Sequence, residues 1–321
     1  MVILNSSIFL VGLCLLVLSS DFLIQGSVKL SILLRLSPLF IGLILIAFGT
    51  SAPEAAIGII AATKDYKGIA LGNIIGSNIA NIGLILGLCA LFSPLLVRDK
   101  GLFRKEIPIM LGSILLFYIV CLDLVVSRIE GAAFIVLFMF FCFISYRGAK
   151  KSFDPSETDG FKLKKVFRRM HSKLLLFIAI LVSLLGVIYA ANLMVNSGAR
   201  LAEIFGVKPW LIGITIFAVG SSLPELAASL TASIKKVPSL GIGNIVGSNI
   251  FNILFVLGIV ALIRPITLEA AILDFELPVL IIFSFGLFTV MRTGYKISRR
   301  EGLFLFLGYL SFLAALIVKR I

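Results

Sequence analysis

The fold is decided by two related stretches of sequence, SPLFIGLILIAFGTSAPE at residues 37–54 and KPWLIGITIFAVGSSLPE at residues 208–225. They align without a gap when positions 171 apart are compared (208 with 37). The same offset places GNIIGSNIANI (72–82) over GNIVGSNIFNI (243–253). Two polar motifs inside apolar runs do not keep a common register by chance, so the chain contains an internal duplication.

The composition is that of an integral membrane protein. The chain has 321 residues, of which 60% are hydrophobic and 14% are charged, and its mean hydropathy is +1.15. Its apolar runs approach or exceed the roughly 20 residues that cross a bilayer. The first run, Ile8 to Ile24, lacks the basic start and the small-residue cleavage site of a signal peptide, so it predicts a membrane-spanning helix. We expect an all-α protein embedded in the lipid bilayer.

The net charge of +13 does not indicate a nucleic-acid partner. The basic residues lie between the apolar runs without interleaved aromatic residues, and no nucleic-acid-binding module is recognisable. They are better explained as topology signals. With the segment 147–173 in the cytoplasm, 21 of the 29 Lys and Arg residues lie on that side. This distribution predicts a multi-pass protein of the cell membrane with both termini extracellular.

Charges and turn residues divide the chain into ten predicted transmembrane helices. They cover residues 6–28, 38–63, 69–96, 106–122, 129–146, 174–199, 209–234, 240–263, 275–291 and 301–318. Residues 1–146 then form a first five-helix repeat, residues 147–173 a basic cytoplasmic linker, and residues 174–321 a second five-helix repeat. Because corresponding helices of the two copies are five positions apart (helix 2 and helix 7), an odd number, the two halves enter the membrane from opposite faces. Inverted repeats are typical of secondary transporters, whose ion sites lie between the repeats near the bilayer midplane.

The first duplicated motif, GTSAPE (49–54) and GSSLPE (220–225), places a proline in the middle of each apolar span. Proline cannot donate a backbone hydrogen bond, and its ring clashes with the carbonyl four residues earlier. We therefore expect each helix to kink or unwind here and to free the carbonyls around Ala47 and Ala218 to face a cation. Non-helical backbone at this depth is tolerated where it lines a cavity or packs within protein.

Each of these motifs ends in a glutamate, Glu54 or Glu225. An ionised side chain at the bilayer centre costs about 2.5–3.5 kcal/mol on insertion scales, so two related glutamates beside helix breaks favour an ion site over a structural role. The neutral oxygens beside the breaks belong to Thr50, Ser51, Ser221 and Ser222. Hard cations such as Na⁺ and Ca²⁺ prefer oxygen ligands of this kind, and two carboxylates balance one Ca²⁺. The single histidine, His171, lies in the basic linker, which disfavours Zn²⁺.

The second duplicated motif has the pattern GNxxGSNxxN, at residues 72–81 and 243–252. Its glycines have the spacing that lets neighbouring helices approach closely. Its serine and last asparagine are four residues apart and share a helix face, so they can present a hydroxyl and an amide carbonyl to one centre. These pairs are Ser77 with Asn81 and Ser248 with Asn252. The other asparagines are expected to hydrogen-bond the broken backbone: Asn73, Asn78, Asn244 and Asn249.

These two motifs resemble the α-repeats of the sodium/calcium exchanger family, within the cation/calcium exchanger superfamily. The short central linker is similar to that of the compact prokaryotic form. The resemblance implies that predicted helices 2, 3, 7 and 8 form the ion-binding core, while helices 1 and 6 are long and slide past it. It implies that Glu54 and Glu225 coordinate Ca²⁺ and share Na⁺. The further ligands implied are Thr50, Ser51, Ser77, Asn81, Ser221, Ser222, Ser248, Asn252 and the backbone oxygens of Ala47 and Ala218.

One departure from the family concerns Asn81 and Asn252, because some relatives carry Asp at one of these positions. Amides at both positions remove a third carboxylate, which disfavours proton coupling and K⁺ co-transport without settling either. The proton-coupled branch typically has an acidic residue soon after its GN pair. This chain has Gly76 and Gly247 there, which argues against that branch.

We therefore expect a secondary active antiporter, not an enzyme, that exchanges Na⁺ for Ca²⁺ by alternating access and needs no prosthetic group. The stoichiometry that the resemblance implies, three Na⁺ for one Ca²⁺, would move one net charge per cycle and make transport electrogenic. The alternatives left open are K⁺-dependent Na⁺/Ca²⁺ exchange, Ca²⁺/H⁺ exchange, Mg²⁺ exchange, a cation channel with an acidic filter, and a purely structural membrane protein. The sequence is compatible with a monomer and leaves the oligomeric state open.

Overall fold

The computed structural model describes most of the chain. The described residues are 1–63, 67–96, 102–151, 153–154, 158, 161–206, 218–292 and 294–320. These residues are almost entirely helical. The predicted helix 209–234 is described only from residue 218 onward, so the part that holds Pro209 and Gly213 lies outside the described residues.

The helices follow one another with short connections. Before the linker they are α1 (Val2–Leu34), α2 (Pro38–Thr50), α3 (Ala52–Thr63), α4 (Ala70–Phe92), α5 (Leu102–Asp123) and α6 (Arg128–Lys151). From the linker onward they are α7 (Lys165–Arg169), α8 (Lys173–Ile204), α9 (Ala218–Ser221), α10 (Leu223–Ile234), α11 (Pro238–Ile263), α12 (Ile272–Arg292) and α13 (Arg299–Arg320).

Within the described residues, eight helices are long and apolar enough to cross a membrane. The helices α2 and α3 meet at an angle of 43° and make a ninth crossing if they are counted as one broken span. The multi-span, all-helical architecture predicted from the sequence is thereby confirmed. The helices α1 and α8 have 33 and 32 residues and extend past their predicted ends.

Four two-residue strands were not predicted, because so short a segment has no periodic signal in the sequence. The antiparallel pairs are β1 (Leu95–Leu96) with β4 (Lys296–Ile297) and β2 (Val125–Val126) with β3 (Ile266–Thr267). The helices α4 and α11 end before Pro94 and Pro265, with the preceding residues Ser93 and Arg264 in the extended conformation. A proline excludes the helical conformation from the residue before it, which explains why both copies of the repeat end their helix at this point.

Five segments of the described helices have the wider π-helical winding. They are Ile41–Ile46, Asn81–Leu86, Leu102–Glu106, Phe251–Val256 and Ile272–Glu276. A π turn inserts an extra residue into a helix, rotates the side chains that follow it and is common at functional sites. Asn81 begins one of these turns, and Asn252 lies in the first turn of another. The winding therefore determines the direction in which these two amides point.

The buried apolar side chains form two main clusters. The smaller one joins α1 to α8, with Leu23, Ile24 and Val187 among its fully buried members. The larger one surrounds α4 and α11 and includes Ile75 and Ile253. The helices α1 and α8 supply most of the smaller cluster, and Ile46 of α2, Ala228 of α10 and Leu240 of α11 join it to the helices of the breaks.

The helices α2 and α11 touch backbone to backbone. A Cβ atom on Gly42 would lie 2.3 Å from the carbonyl oxygen of Leu240, and one on Gly243 would lie 2.4 Å from that of Leu39. Only glycine permits such an approach, which is the role that the small-residue spacing predicts for the second copy of the motif. This contact brings the first break motif beside the second copy of GNxxGSNxxN.

An acidic residue inside the first predicted span, Asp21, has basic partners from two other parts of the chain. Its carboxylate forms ion pairs with Lys164 of the linker and with Lys235 at the end of α10. The carboxylate is largely buried, and two cations compensate the cost of removing it from water. These pairs join the α1–α8 unit to the linker and to α10.

Candidate cation-binding site

The site is built around two helix breaks. Helix α2 ends at Thr50 and α3 begins at Ala52, while in the other copy α9 ends at Ser221 and α10 begins at Leu223. The residues between them, Ser51 and Ser222, have nearly identical backbone angles (φ −84°, ψ 9° and φ −88°, ψ 6°). The break predicted from the two prolines is confirmed in both copies.

The carbonyl of Ala47 is not freed in the way that the sequence suggests. It accepts the Ser51 N–H at 3.0 Å, so the helical hydrogen bond persists there. The reason is that Pro53 removes the donor for Gly49, four residues before it, and leaves the bond to Ala47 intact. A carbonyl oxygen has a second lone pair, which keeps Ala47 available as a ligand. Ala218, its counterpart, is the first described residue of α9.

The two glutamates lie inside the protein and close to each other. Glu54 is fully buried and Glu225 is 1% exposed. Their carboxylates interact electrostatically, and Ser221 lies beside that of Glu54. The hydroxyl of Ser51 donates a hydrogen bond of 2.8 Å to Glu225 Oε1. A hydroxyl of the first motif thus supports the carboxylate of the second, and the two breaks form one site.

Two asparagines tie the breaks to the neighbouring helices. Asn73 Nδ2 donates to the backbone carbonyl of Glu54 at 3.3 Å, and Asn244 Nδ2 donates to that of Glu225 at 3.4 Å. Thr50 Oγ1 donates to Asn244 Oδ1 at 3.1 Å, which connects the first break to the same asparagine. The backbone role predicted for Asn73 and Asn244 is confirmed. Both side chains satisfy carbonyls beside the broken turns and hold the glutamates in place.

The other two asparagines bind side chains instead of the broken backbone, so the prediction for them was wrong. Asn81 Nδ2 donates to Asn249 Oδ1 at 3.0 Å, and Asn252 Nδ2 donates to Asn78 Oδ1 at 3.3 Å. The pairs cross from one repeat to the other. They form because the π turns of α4 and α11 swing these amides toward each other. Asn81 and Asn252, the two asparagines predicted as ligands, are each held by the NH₂ group, which leaves the carbonyl oxygen for another partner.

We call the oxygens of this region that have no hydrogen-bond partner the cage. Among the described residues, seven fully buried oxygens of this region have no hydrogen-bond partner: Glu54 Oε1 and Oε2, Glu225 Oε2, Asn81 Oδ1, Asn252 Oδ1, Ser222 Oγ and Ser248 Oγ. All belong to residues proposed as ligands from the sequence. Buried polar atoms without a partner are rare in folded proteins, because each costs free energy. A set rich in acceptors and containing two carboxylates fits a hard cation.

The remaining proposed ligands have partners within the protein. Ser77 donates its hydroxyl to the carbonyl of Asn73 in its own helix, while Thr50 and Ser51 donate to the side chains described above. A hydroxyl that donates its proton still carries lone pairs that can face a cation. The donor bonds turn these lone pairs in a defined direction. The structure links Thr50 and Ser51 directly to residues of the second copy, while the full set of proposed ligands stays a prediction.

The sequence alone did not indicate two residues that support the site. Ser229 accepts a hydrogen bond from Asn244 Nδ2 at 2.9 Å and donates to the carbonyl of Gly241 at 3.3 Å. Its position four residues after Glu225 on one helix face is the signal that could have identified it. Met110 Sδ lies 3.9 Å from Asn249 Nδ2. No pattern in the sequence marks this methionine, because the contact depends on the packing of α5 against α11.

Comparison with known proteins agrees with this geometry. The family model of the sodium/calcium exchanger protein matches residues 5–147 and 175–318. The sodium/calcium exchanger MaX1 of Methanosarcina acetivorans is 32% identical over 349 residues, covering 98% of this chain and 99% of its own. The inner membrane protein YrbG of Escherichia coli is 31% identical over 318 residues, covering 98% and 97%.

A solved structure of the sodium-calcium exchanger NCX_Mj, soaked with Na⁺ in the absence of Ca²⁺, has the same fold. It matches with a TM-score of 0.84 and 31% sequence identity, covering 98% of this chain and 100% of that one. The family model matches nearly the whole chain, and the relatives overlap with it almost completely. Both findings agree with the duplicated break motifs and the paired carboxylates. The chain belongs to the sodium/calcium exchanger family.

Proposed function

We propose that this protein exchanges Na⁺ for Ca²⁺ across the cell membrane by alternating access. The observation that carries the proposal is the cage of seven buried acceptor oxygens around Glu54 and Glu225, which have no donors among the described residues. Membership of the sodium/calcium exchanger family supports the choice of ions. The relatives MaX1 and NCX_Mj are named as exchangers of these two cations.

The charge of the cage explains why transport would be an obligatory exchange. Two buried carboxylates without a cation are costly in a low-dielectric interior, so an empty site cannot be enclosed easily during a change of access. One Ca²⁺ neutralises the pair, and Na⁺ ions can do the same. The protein would therefore change its open face only when it carries Ca²⁺ or Na⁺. With three Na⁺ for one Ca²⁺, one net charge would cross per cycle and transport would be electrogenic.

We propose that the oxygens of the duplicated motifs form both ion sites. The proposed ligands are Glu54, Glu225, Thr50, Ser51, Ser77, Asn81, Ser221, Ser222, Ser248, Asn252 and the carbonyls of Ala47 and Ala218. Their pseudo-symmetric origin supports a site at the interface of two inverted five-helix halves, residues 1–146 and 174–321, joined by the linker 147–173. The Lys and Arg distribution supports a cytoplasmic linker and extracellular termini.

The packing supports α1 and α8 as the moving element. They supply most members of an apolar cluster that is separate from the larger one, with only a few residues from α2, α10 and α11. A shift of this pair relative to the core would expose the cage to one side of the membrane and then to the other. The ion pairs of Asp21 with Lys164 and Lys235 would have to rearrange if α1 moves relative to α10.

The test is Na⁺-driven Ca²⁺ flux in proteoliposomes. Vesicles loaded with Na⁺ and diluted into K⁺ or choline should accumulate ⁴⁵Ca²⁺, and collapse of the Na⁺ gradient should stop the uptake. Glu54→Gln and Glu225→Gln should each reduce the flux at least tenfold, because an amide keeps the size of the side chain and removes the charge that Ca²⁺ needs. Glu203→Gln is the matched control, since Glu203 is an exposed glutamate at the end of α8.

The same vesicles distinguish the alternatives. Uptake that ignores the Na⁺ gradient and proceeds without a counter-ion would overturn the proposal in favour of a channel. An absolute requirement for K⁺ or for a pH gradient would assign the exchange to another coupling ion. Uptake that persists in both glutamine variants would show that the carboxylates have only a structural role.

A further inference from the structure

A crevice at the end of α6 lies apart from the cation cage. It has a volume of about 610 Å³ and is lined, among the described residues, by Lys105, Phe140, Phe143, Ile144, Arg147 and Gly148. We call it the basic crevice. Cavities of roughly 300–1,000 Å³ are those that hold small organic ligands in proteins, so it is large enough for more than a single ion.

Two cations converge in the basic crevice. The Lys105 ammonium lies over α6, 3.6 Å from the position that a Cβ on Gly148 would occupy. The Arg147 guanidinium lies 4.8 Å from the centre of the Phe143 ring, a cation–π contact that fixes its direction. No carboxylate is present among the described residues that line the crevice. Lys105 and Arg147 could therefore be neutralised by an anion from outside the chain.

The other wall of the basic crevice is apolar and open. Phe140 and Phe143 are 59% and 53% exposed. They share a face of α6 with Ile144 and Arg147, because these positions are three or four residues apart. In a membrane-spanning helix such an exposed aromatic face lies against lipid. The crevice thus has a charged end beside the polar linker and an apolar end along the helix.

This division matches one class of ligand. We propose that the basic crevice binds an anionic glycerophospholipid, with its headgroup phosphate between Lys105 and Arg147 and an acyl chain against Phe140 and Phe143. A free phosphate ion would use only the charged end, and a neutral lipid would leave both cations without a partner. The excess of Lys and Arg on this side predicts that it faces the cytoplasm, where basic pockets between helices recognise acidic headgroups.

The proposal can be tested by native mass spectrometry of the full chain in a neutral detergent. Phosphatidylglycerol and phosphatidylcholine of matched acyl chains are titrated separately, and the population of the first bound lipid is measured. The wild type should prefer phosphatidylglycerol. The double variant K105Q/R147Q should lose roughly tenfold or more in apparent affinity, since the headgroup phosphate would lose both of the charged donors that contact it in the crevice.

A matched control removes the same charge elsewhere. Arg168 and Arg169, at the end of α7, are exposed and do not line the crevice. The variant R168Q/R169Q should bind phosphatidylglycerol as the wild type does. A second control, Phe143→Leu, keeps both charges and should weaken binding less than K105Q/R147Q does.

Several results would overturn the proposal. They are equal affinity of the wild type for the two lipids, equal losses in the two double variants, and displacement of phosphatidylglycerol by millimolar inorganic phosphate. The last of these would identify a site for free anions. Lipid binding is measured without transport, so failure here would leave the proposed exchange activity unaffected, and failure of exchange would leave the lipid site unaffected.

Discussion

The close backbone contact between α2 and α11 predicts the consequence of adding one methyl group at Gly247. A Cβ on this residue of α11 would lie 2.2 Å from the carbonyl oxygen of Leu43 and 2.8 Å from the Cβ of Ala47, whereas ordinary contacts begin at 3.4 Å. Gly247→Ala must therefore separate α2 from α11 by about 1 Å. Overpacking of this kind lowers the free energy of unfolding by roughly 1–3 kcal/mol. The better helix propensity of alanine offsets only about 1 kcal/mol of this loss.

The displacement acts directly on the cage. Ala47 and Thr50 lie on α2 while Ser248 and Asn252 lie on α11, so the shift enlarges the distance between the two sets of oxygens. Ca²⁺–oxygen distances fall within roughly 2.3–2.6 Å, a range much narrower than 1 Å. We expect Gly247→Ala to melt several degrees below the wild type and to lose at least tenfold in Na⁺-driven ⁴⁵Ca²⁺ flux.

The control for this variant is Gly112→Ala in α5. A Cβ there meets no atom of the described residues within 4 Å, and the position is exposed. This variant should keep the melting temperature and the flux of the wild type. The reasoning would be refuted if Gly247→Ala retained both. A lower melting temperature with unchanged flux would show that the contact stabilises the fold without setting the spacing of the cage.

Two further substitutions test the contacts around the site. Asn249→Leu removes the acceptor of Asn81 Nδ2, and a buried donor without a partner costs roughly 1–3 kcal/mol. We therefore expect the Ca²⁺ concentration for half-maximal exchange to rise about tenfold. An unchanged concentration would contradict the role of this pair. Asp21→Asn leaves the ammonium groups of Lys164 and Lys235 together without a counter-charge. The melting temperature should fall and should recover in part when Lys235→Gln is added, and equal melting of all three proteins would refute the electrostatic explanation.

Much of the site could be predicted because some residues have few physical explanations inside a membrane. A proline in the middle of an apolar run removes a backbone donor and favours a kink or a break, and a glutamate beside it needs a cation or a hydrogen-bonding partner. The duplication indicated that Glu54 and Glu225 act together. The roles of Asn78 and Asn249 could not be obtained in this way. Whether an amide reaches a backbone carbonyl or another side chain depends on helix winding and on distances across the core, which periodicity does not encode.

The sequence by itself determined the membrane class, the duplication, the positions of the helix breaks and the two carboxylates. These features follow from local composition and from backbone chemistry that acts within a few residues. Only the tertiary structure decided that Ser51 supports Glu225 of the other copy, that Asn81 and Asn252 keep their carbonyl oxygens free, and that Asp21 has two basic partners. These facts depend on contacts between residues far apart in the chain, and such contacts form only when the helices pack.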